Sequence, residues 1–227
     1  KLMIERQTMT NQQTYINLGY YISHTGPSCD WYNITTPDFF FTQDAKHRLV
    51  LHPICLDQIV NVGAAADWLA QKFDAGFEFP YVFTSFEAAL EFVETFGSKR
   101  VQWQIVSPAM PAQFAAPSLA SIEEYYDDNK PALYSMIHEQ QPLHPAMQPL
   151  GFDILNLHAF QWESYIYRSF LREQPFLLEL NQHQLIEAYP DAVRITRRVI
   201  NHDIGWNGFP ISIGNWVPCL IQSFVVE

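Results

Sequence analysis

The stretch that most constrains the fold covers residues 150–189, LGFDILNLHAFQWESYIYRSFLREQPFLLELNQHQLIEAY. It holds the longest uninterrupted apolar patterning in the chain, and it follows directly on the most proline-dense segment. A short apolar run between turn signals is typical of a buried strand. We therefore predict a central strand at 150–156, a second strand at 162–170 and a short one at 177–180, at the structural centre of the C-terminal half.

The other elements follow one another in no regular order. Strands are predicted at 14–24, 39–41, 47–52, 77–83, 101–106, 211–217 and 219–226, the one at 101–106 being half-buried. Apolar residues at steps of three and four predict helices at 56–73, 86–96 and 191–201. Thr84 and Glu87 suit a capping box before the second helix, Gly97 ends it, and Pro190 suits the first turn of the third. The mixed order predicts an α+β fold, with a mainly antiparallel sheet and three to five helices packed on it.

Residues 107–149 differ from both flanks. Seven of the chain's fifteen prolines lie in this segment: Pro108, Pro111, Pro117, Pro131, Pro142, Pro145 and Pro149. Two short helices are predicted inside it, at 119–126 and 131–139. The segment is either a linker between two lobes, 13–106 and 150–227, or a long surface excursion from a single domain of residues 1–227.

The charge balance narrows the classes of partner. A formal net charge of −11 repels nucleic acid and anionic membranes, and it favours encounter with basic proteins. Plain solubility is the alternative interpretation. Because no apolar run approaches the length of a membrane span and no secretory signal is visible, we expect a cytoplasmic protein with no membrane partner.

Three cysteines, widely spaced and without a CxxC pair, argue against a disulfide framework and a structural zinc site. Cys29 with a histidine such as His24 would suit a cysteine-dependent hydrolase or transferase. However, no helix start follows Cys29 to activate its thiol. Cys55 and Cys219 have apolar neighbours, and we expect them in the core.

Sites for metals and cofactors are not indicated by the sequence. His138, Glu139 and His144 do not have the HExxH spacing, and no GxGxxG or GxxxxGK[ST] loop occurs. We therefore predict no metal, no cofactor and no catalytic set. One basic stripe, formed by Arg194, Arg197 and Arg198, is expected to pair with the protein's own acids.

The densest acidic cluster surrounds two tyrosines. Its members are Glu123, Glu124, Tyr125, Tyr126, Asp127 and Asp128. Rigid aromatic anchors beside steering charges are typical of protein interfaces. The cluster is therefore the candidate surface for contact with a basic protein, and a solvated face is the alternative.

The C-terminal third, from residue 150 through the closing segment that contains Gly205-Trp206, resembles small bacterial immunity proteins that are encoded beside polymorphic or contact-delivered toxins. Seven residues match their pattern: Gly151, Asp153, Leu180, Asn181, Leu185, Asp191 and Ala192. Two positions depart from it, because Tyr167-Arg168 stands where an Asn-Cys pair is expected and Gln184 replaces a glycine. The resemblance covers about a third of the chain.

The resemblance implies a non-enzymatic protein that binds a toxin domain and occludes its active site. Toxins that attack nucleic acids are commonly basic, because their substrate is acidic. A net charge of −11 would speed the encounter with such a partner. Two hypotheses stand beside this one: the Cys29-dependent enzyme, and a structural component of a larger bacterial assembly with an aromatic-rich surface poor in charge.

Overall fold

The computed structural model describes residues 14–25, 41–43, 49–51, 58–72, 82–124, 126, 130–158, 161–166, 180–201 and 215–227. The strands in these ranges are β1 Tyr15–Asn17, β2 Tyr21–Thr25, β3 Phe41–Gln43, β4 Leu49–Leu51, β5 Gln102–Pro111, β6 Gln148–His158, β7 Gln161–Ser164 and β8 Trp216–Val225. The helices are α1 Val62–Lys72, α2 Phe86–Phe96, α3 Ala115–Glu123, α4 Ala132–His138 and α5 Tyr189–Ile200, with a 3₁₀ turn at Ala112–Phe114. The predicted α+β class is confirmed.

One antiparallel sheet organises these elements. Its order is β1–β5–β8–β6–β7, and β2 pairs with β5 beside β1. The β3–β4 hairpin forms a separate two-stranded sheet. The main sheet thus joins strands that precede the proline-rich segment to strands that follow it, and β5 itself runs into that segment.

Both faces of the sheet are covered, as neighbouring residues of β5 show. Val106 belongs to a first core that also holds Ile122 of α3, Leu133 of α4 and Ile195 of α5. Ile105 belongs to a second core, with helices α1 and α2. Because successive side chains of a strand point to opposite faces, burial of both explains why β5 is almost wholly buried. The prediction that this strand is half-buried and ends at 106 is therefore wrong.

Pro108 lies within β5, which has neighbours on both sides. Its carbonyl accepts a hydrogen bond from the N–H of Leu18, so the missing N–H of the proline faces the same edge. At this point the neighbouring edge is interrupted between β1 and β2, where Gly19 adopts a φ of 103°. Because neither β1 nor β2 pairs with β5 at this point, the missing N–H of Pro108 removes no hydrogen bond from the sheet. The same interruption at Gly19 divides the strand predicted at 14–24 into β1 and β2.

Helix α1 starts later than predicted, and helix α2 has a different N-cap from the predicted one. Residues 58–60 pair with 96–98 in extended form, through Val60 N to Phe96 O and Ser98 N to Gln58 O, so α1 begins at Val62 and not at 56. Ser85 and not Thr84 caps α2, since its hydroxyl accepts from Ala88 N at 3.1 Å. The predicted capping box is therefore wrong by one residue, whereas the span 86–96 and its end at Gly97 are confirmed.

Helix α5 begins at Tyr189, two residues before the predicted start at 191, and the predicted place of Pro190 in its first turn is confirmed. The buried residues are Ala192, Ile195, Thr196 and Val199. This choice of face leaves Arg194 and Arg197 exposed, which avoids burial of unpaired charge.

The two closing strands predicted at 211–217 and 219–226 are a single strand in the structure, β8, which continues through Pro218, so that prediction is wrong. Other differences lie at strand and helix ends. The strand predicted at 162–170 stops at Ser164, because the chain turns at 165–166 to bring Tyr165 N to Ile154 O. Helix α3 starts at 115 rather than 119, and Pro117 is tolerated in its first turn. The predictions for 39–40, 47–48, 52, 56–57, 73, 77–81, 167–170, 177–179 and 211–214 lie outside the described residues.

Among the described residues, no helix is long and apolar enough to cross a membrane.

Candidate functional site

Gly151 lies at a bulge in β6, where the register against β8 shifts between Pro149 and Gly151. Its φ of 147° is a conformation that other residues rarely adopt. A Cβ at this position would lie 2.8 Å from both Asn181 Nδ2 and Leu185 Cβ. Glycine therefore serves twice here, because it permits the bulge and lets the loop 181–186 lie against the strand.

Asn181 fastens that loop to β6. Its Nδ2 donates to the carbonyl of Leu150 at 2.6 Å, and its Oδ1 accepts from the backbone N–H groups of His183 and Leu185 at 2.9 and 3.2 Å. Phe152 and Ile186 also exchange two backbone hydrogen bonds across the contact. The residues that match the immunity-protein pattern at 151, 181 and 185 thus form one interlocked unit.

Gln184 adopts a φ of 58°, in the left-handed region. This is the position at which the resembled pattern carries glycine. A glycine adopts this conformation freely, whereas a side chain makes it strained. Gln184 therefore stands at a position where the backbone conformation favours glycine, the residue that the immunity-protein pattern has there.

Replacing Gln184 with glycine is expected to raise the free energy of unfolding by roughly 0.5–1 kcal/mol, because strain is relieved in excess of the added chain entropy. Urea unfolding measures the change. The control is Gln182→Gly in the same loop, at an exposed position without positive φ. It should lower stability by about 0.5–1 kcal/mol, and a loss at both positions would contradict the account of this loop.

Asp153 is fully buried two residues after Gly151. Its Oδ2 accepts from Ser164 Oγ at 2.5 Å, and its Oδ1 accepts from Ile154 N at 2.7 Å and Ile166 N at 3.4 Å. Burial raises the pKa of Asp153 to about 6, although these three hydrogen bonds act to lower it. Among the described residues, no cation forms an ion pair with this carboxyl.

Two other titratable groups lie near Asp153. Cys219 pairs with it across β6 and β8, and burial, followed by the Asp153 charge, raises the pKa of the Cys219 thiol well above its usual value. The same two causes raise the pKa of the fully buried Tyr21. Cys219 is a free, buried cysteine, so its predicted place in the core is confirmed and its thiol is inert at neutral pH.

The structure places three of the six predicted contact residues. Glu123 ends α3, where its Oε1 accepts from the Tyr134 hydroxyl at 2.6 Å and lies 3.5 Å from Lys130 Nζ. The Tyr134 hydrogen bond is the main cause that lowers the pKa of Glu123. Glu124 is exposed, and Tyr126 packs in part against the first core. Tyr125, Asp127 and Asp128 lie outside the described residues.

Tyr134 contacts three side chains at the end of α3, those of Glu123, Lys130 and His138. The Lys130 ammonium lies 4.2 Å from the centre of its ring, and the His138 ring stacks parallel to it at 5.9 Å. The sequence did not indicate this role for Tyr134, because it depends on the packing of α4 beside α3. Glu123 is therefore held in place by Tyr134 and Lys130, while Glu124 is presented to solvent.

The other sequence candidates do not converge. Cys29 and Cys55 lie outside the described residues, and His24 packs edge-on against Trp103. His144 stacks on Phe86 and lies 3.8 Å from Glu87. No group of three metal-ligating side chains occurs among the described residues. Of the basic stripe, Arg194 pairs with Asp191 at 2.9 Å, as expected.

A cleft of about 620 Å³ opens where α2 ends and β5 begins. Lys99 and Arg100 lie on it together with Glu94, and Val101 and Trp103 contribute apolar surface. Because both signs of charge line the cleft, it favours no single class of charged ligand.

No protein-family model, curated protein or solved structure matches this chain.

Proposed function

We propose that this chain is a non-enzymatic binding protein that neutralises a basic bacterial toxin by covering the toxin's active site. The observation that carries the proposal is the interlock of Gly151 with Asn181 and Leu185. These residues match the immunity-protein pattern in two segments thirty residues apart, and they contact one another. The resemblance therefore rests on one structural unit rather than on scattered identities.

The charge distribution supports a basic partner. The chain has 24 acidic residues and 13 lysines and arginines. Several described cations are already paired with acids of the same molecule, as Lys72 is with Glu91 and Arg194 with Asp191. The remaining acidic surface gives the protein a negative field that accelerates encounter with a positively charged toxin.

The end of α3 supplies the contact surface in this proposal. Tyr134 and Lys130 hold Glu123 in a defined position, which reduces the side-chain entropy that binding must remove. Glu124 stands beside it in solvent. A fixed acid, an exposed acid and an aromatic ring are a suitable anchor for lysines and arginines of a partner.

Calorimetry with the protein product of the adjacent open reading frame tests the function. We expect a one-to-one complex whose affinity falls by about tenfold or more between roughly 0.05 M and 0.5 M salt, because the attraction is screened. The absence of binding at low salt would contradict the proposal.

A matched pair of charge reversals tests the surface. Glu124→Lys and Glu94→Lys change the net charge equally, but Glu94 lies on α2, which packs in the second core. We expect Glu124→Lys to weaken the complex by about tenfold more than Glu94→Lys. Equal effects of the two variants would mean that the net charge of the protein alone attracts the toxin, and would contradict a contact surface at the end of α3.

A further inference from the structure

Asp153 fastens the turn that follows β7. Two of its three hydrogen-bond donors belong to the segment 164–166, namely Ser164 Oγ at the end of β7 and Ile166 N in the turn itself. The third, Ile154 N, belongs to β6 itself. Tyr165 N also donates to Ile154 O at 2.9 Å, so the turn is held against β6 at consecutive positions.

We propose that Asp153 makes the 164–166 turn a proton-sensitive latch, which is tight when the carboxyl is protonated and opens more often when the carboxyl is ionised. The carboxyl has no exposed surface. A fully buried carboxylate without a cation is costly, and its three hydrogen bonds offset only part of that cost, whereas a neutral carboxyl largely avoids it. Opening removes two donors but lets water solvate the carboxylate, and because solvation outweighs the two lost hydrogen bonds, ionisation favours the open form.

Within the described part of the chain, the titratable groups whose charge is coupled to that of Asp153 stay neutral in the relevant pH range. Tyr21 from β2 and Cys219 from β8 have raised pKa values and stay neutral. Ser164 from β7 does not ionise. The positive charge of Arg198 in α5 acts electrostatically on Tyr165 of the turn. The pH response of the latch therefore belongs to Asp153.

The sign of the response follows from the two forms of the turn. In the open form the carboxyl is in water and loses its proton near pH 4. In the closed form its pKa is about 6. Opening is therefore rarest below about pH 4, increases as the pH rises towards 6, and levels off above that value.

Amide hydrogen exchange of the whole chain, followed by NMR at Tyr165 and Ile166, tests the latch. After correction for intrinsic rates, we expect protection to fall by about a hundredfold between pH 4 and pH 7, since two pKa units correspond to that factor. The Asp153→Asn variant should show no such fall. Constant protection in the native chain, or an equal fall in the variant, would overturn the proposal.

Low concentrations of urea separate opening of the latch from global unfolding. Local opening exposes little surface, so exchange at 165–166 should hardly respond to urea, whereas exchange at Phe92 in α2 should follow it. An identical urea dependence at both places would overturn the latch. Ser164→Ala provides a second variant, because loss of its hydrogen bond should move the fall in protection to higher pH. An unmoved midpoint would also count against the proposal.

Discussion

Replacing Gly151 with alanine is expected to lower the free energy of unfolding by about 3 kcal/mol, through backbone strain and overpacking together. The new Cβ would meet Asn181 Nδ2 and Leu185 Cβ at 2.8 Å, and Ile186 O at 3.0 Å. The φ of 147° adds a conformation unsuited to alanine. Either the bulge in β6 or the loop 181–186 must move, and the contact between them is lost. Urea unfolding monitored by circular dichroism measures the loss.

The chain offers a matched control in Gly63. This glycine lies within α1, and the nearest atom to an added Cβ is Asn61 Oδ1 at 3.9 Å. Because Gly63 is the second residue of α1, Gly63→Ala should change the free energy of unfolding by less than about 1 kcal/mol, which is the difference in helix propensity inside a helix. If Gly151→Ala were as benign as Gly63→Ala, the interlock between β6 and the loop would be refuted.

The second large effect concerns Asp153. Its replacement by alanine removes the hydrogen bond to Ser164 Oγ and leaves the backbone N–H groups of Ile154 and Ile166 without this acceptor in a fully buried place. We expect a loss of roughly 3–5 kcal/mol, since each buried unsatisfied group is costly. The Asp153→Asn variant keeps an oxygen for the two amides and should fold.

The pH dependence of the stability difference between the native chain and Asp153→Asn separates the effect of the buried charge from the effect of the hydrogen bonds. The folded-state pKa of Asp153 is raised from 3.8 to about 6, so native stability is greatest below pH 4 and falls as the pH rises to 6. Above that pH the asparagine variant should be more stable than the native chain, by an amount on the order of 3 kcal/mol for two pKa units. The difference should vanish near pH 4. Urea unfolding between pH 4 and pH 8 measures it, and a native chain that gains stability across this range would contradict the assignment.

The elements that the sequence predicted well are those whose signal is local. Helix α2 carries its own periodicity and its glycine stop, and strand β6 is a continuous apolar run. The predictions were wrong where a contact between residues distant in sequence determines where an element begins or ends. Helix α1 starts late because Ile59 pairs with Gly97, and β5 passes through Pro108 because the neighbouring edge is broken there.

The candidate site was predicted only in part, for the same physical reason. Gly151 and Asn181 were recognised as parts of a pattern, but their contact depends on the fold. Ser164 and Tyr134 carried no signal, because each acts through a partner eleven residues away that packing alone brings near. Glu123 was found from composition, whereas its hydrogen bond to Tyr134 was not foreseeable.

The most direct measurement of the proposed function is a titration of toxin activity. The product of the adjacent open reading frame would be assayed on its own substrate with increasing amounts of this chain. The proposal predicts that activity falls linearly to zero at one equivalent, and that added substrate slows formation of the complex, because both compete for the same site. Full activity in the presence of excess chain, or inhibition that requires turnover by the chain, would contradict it.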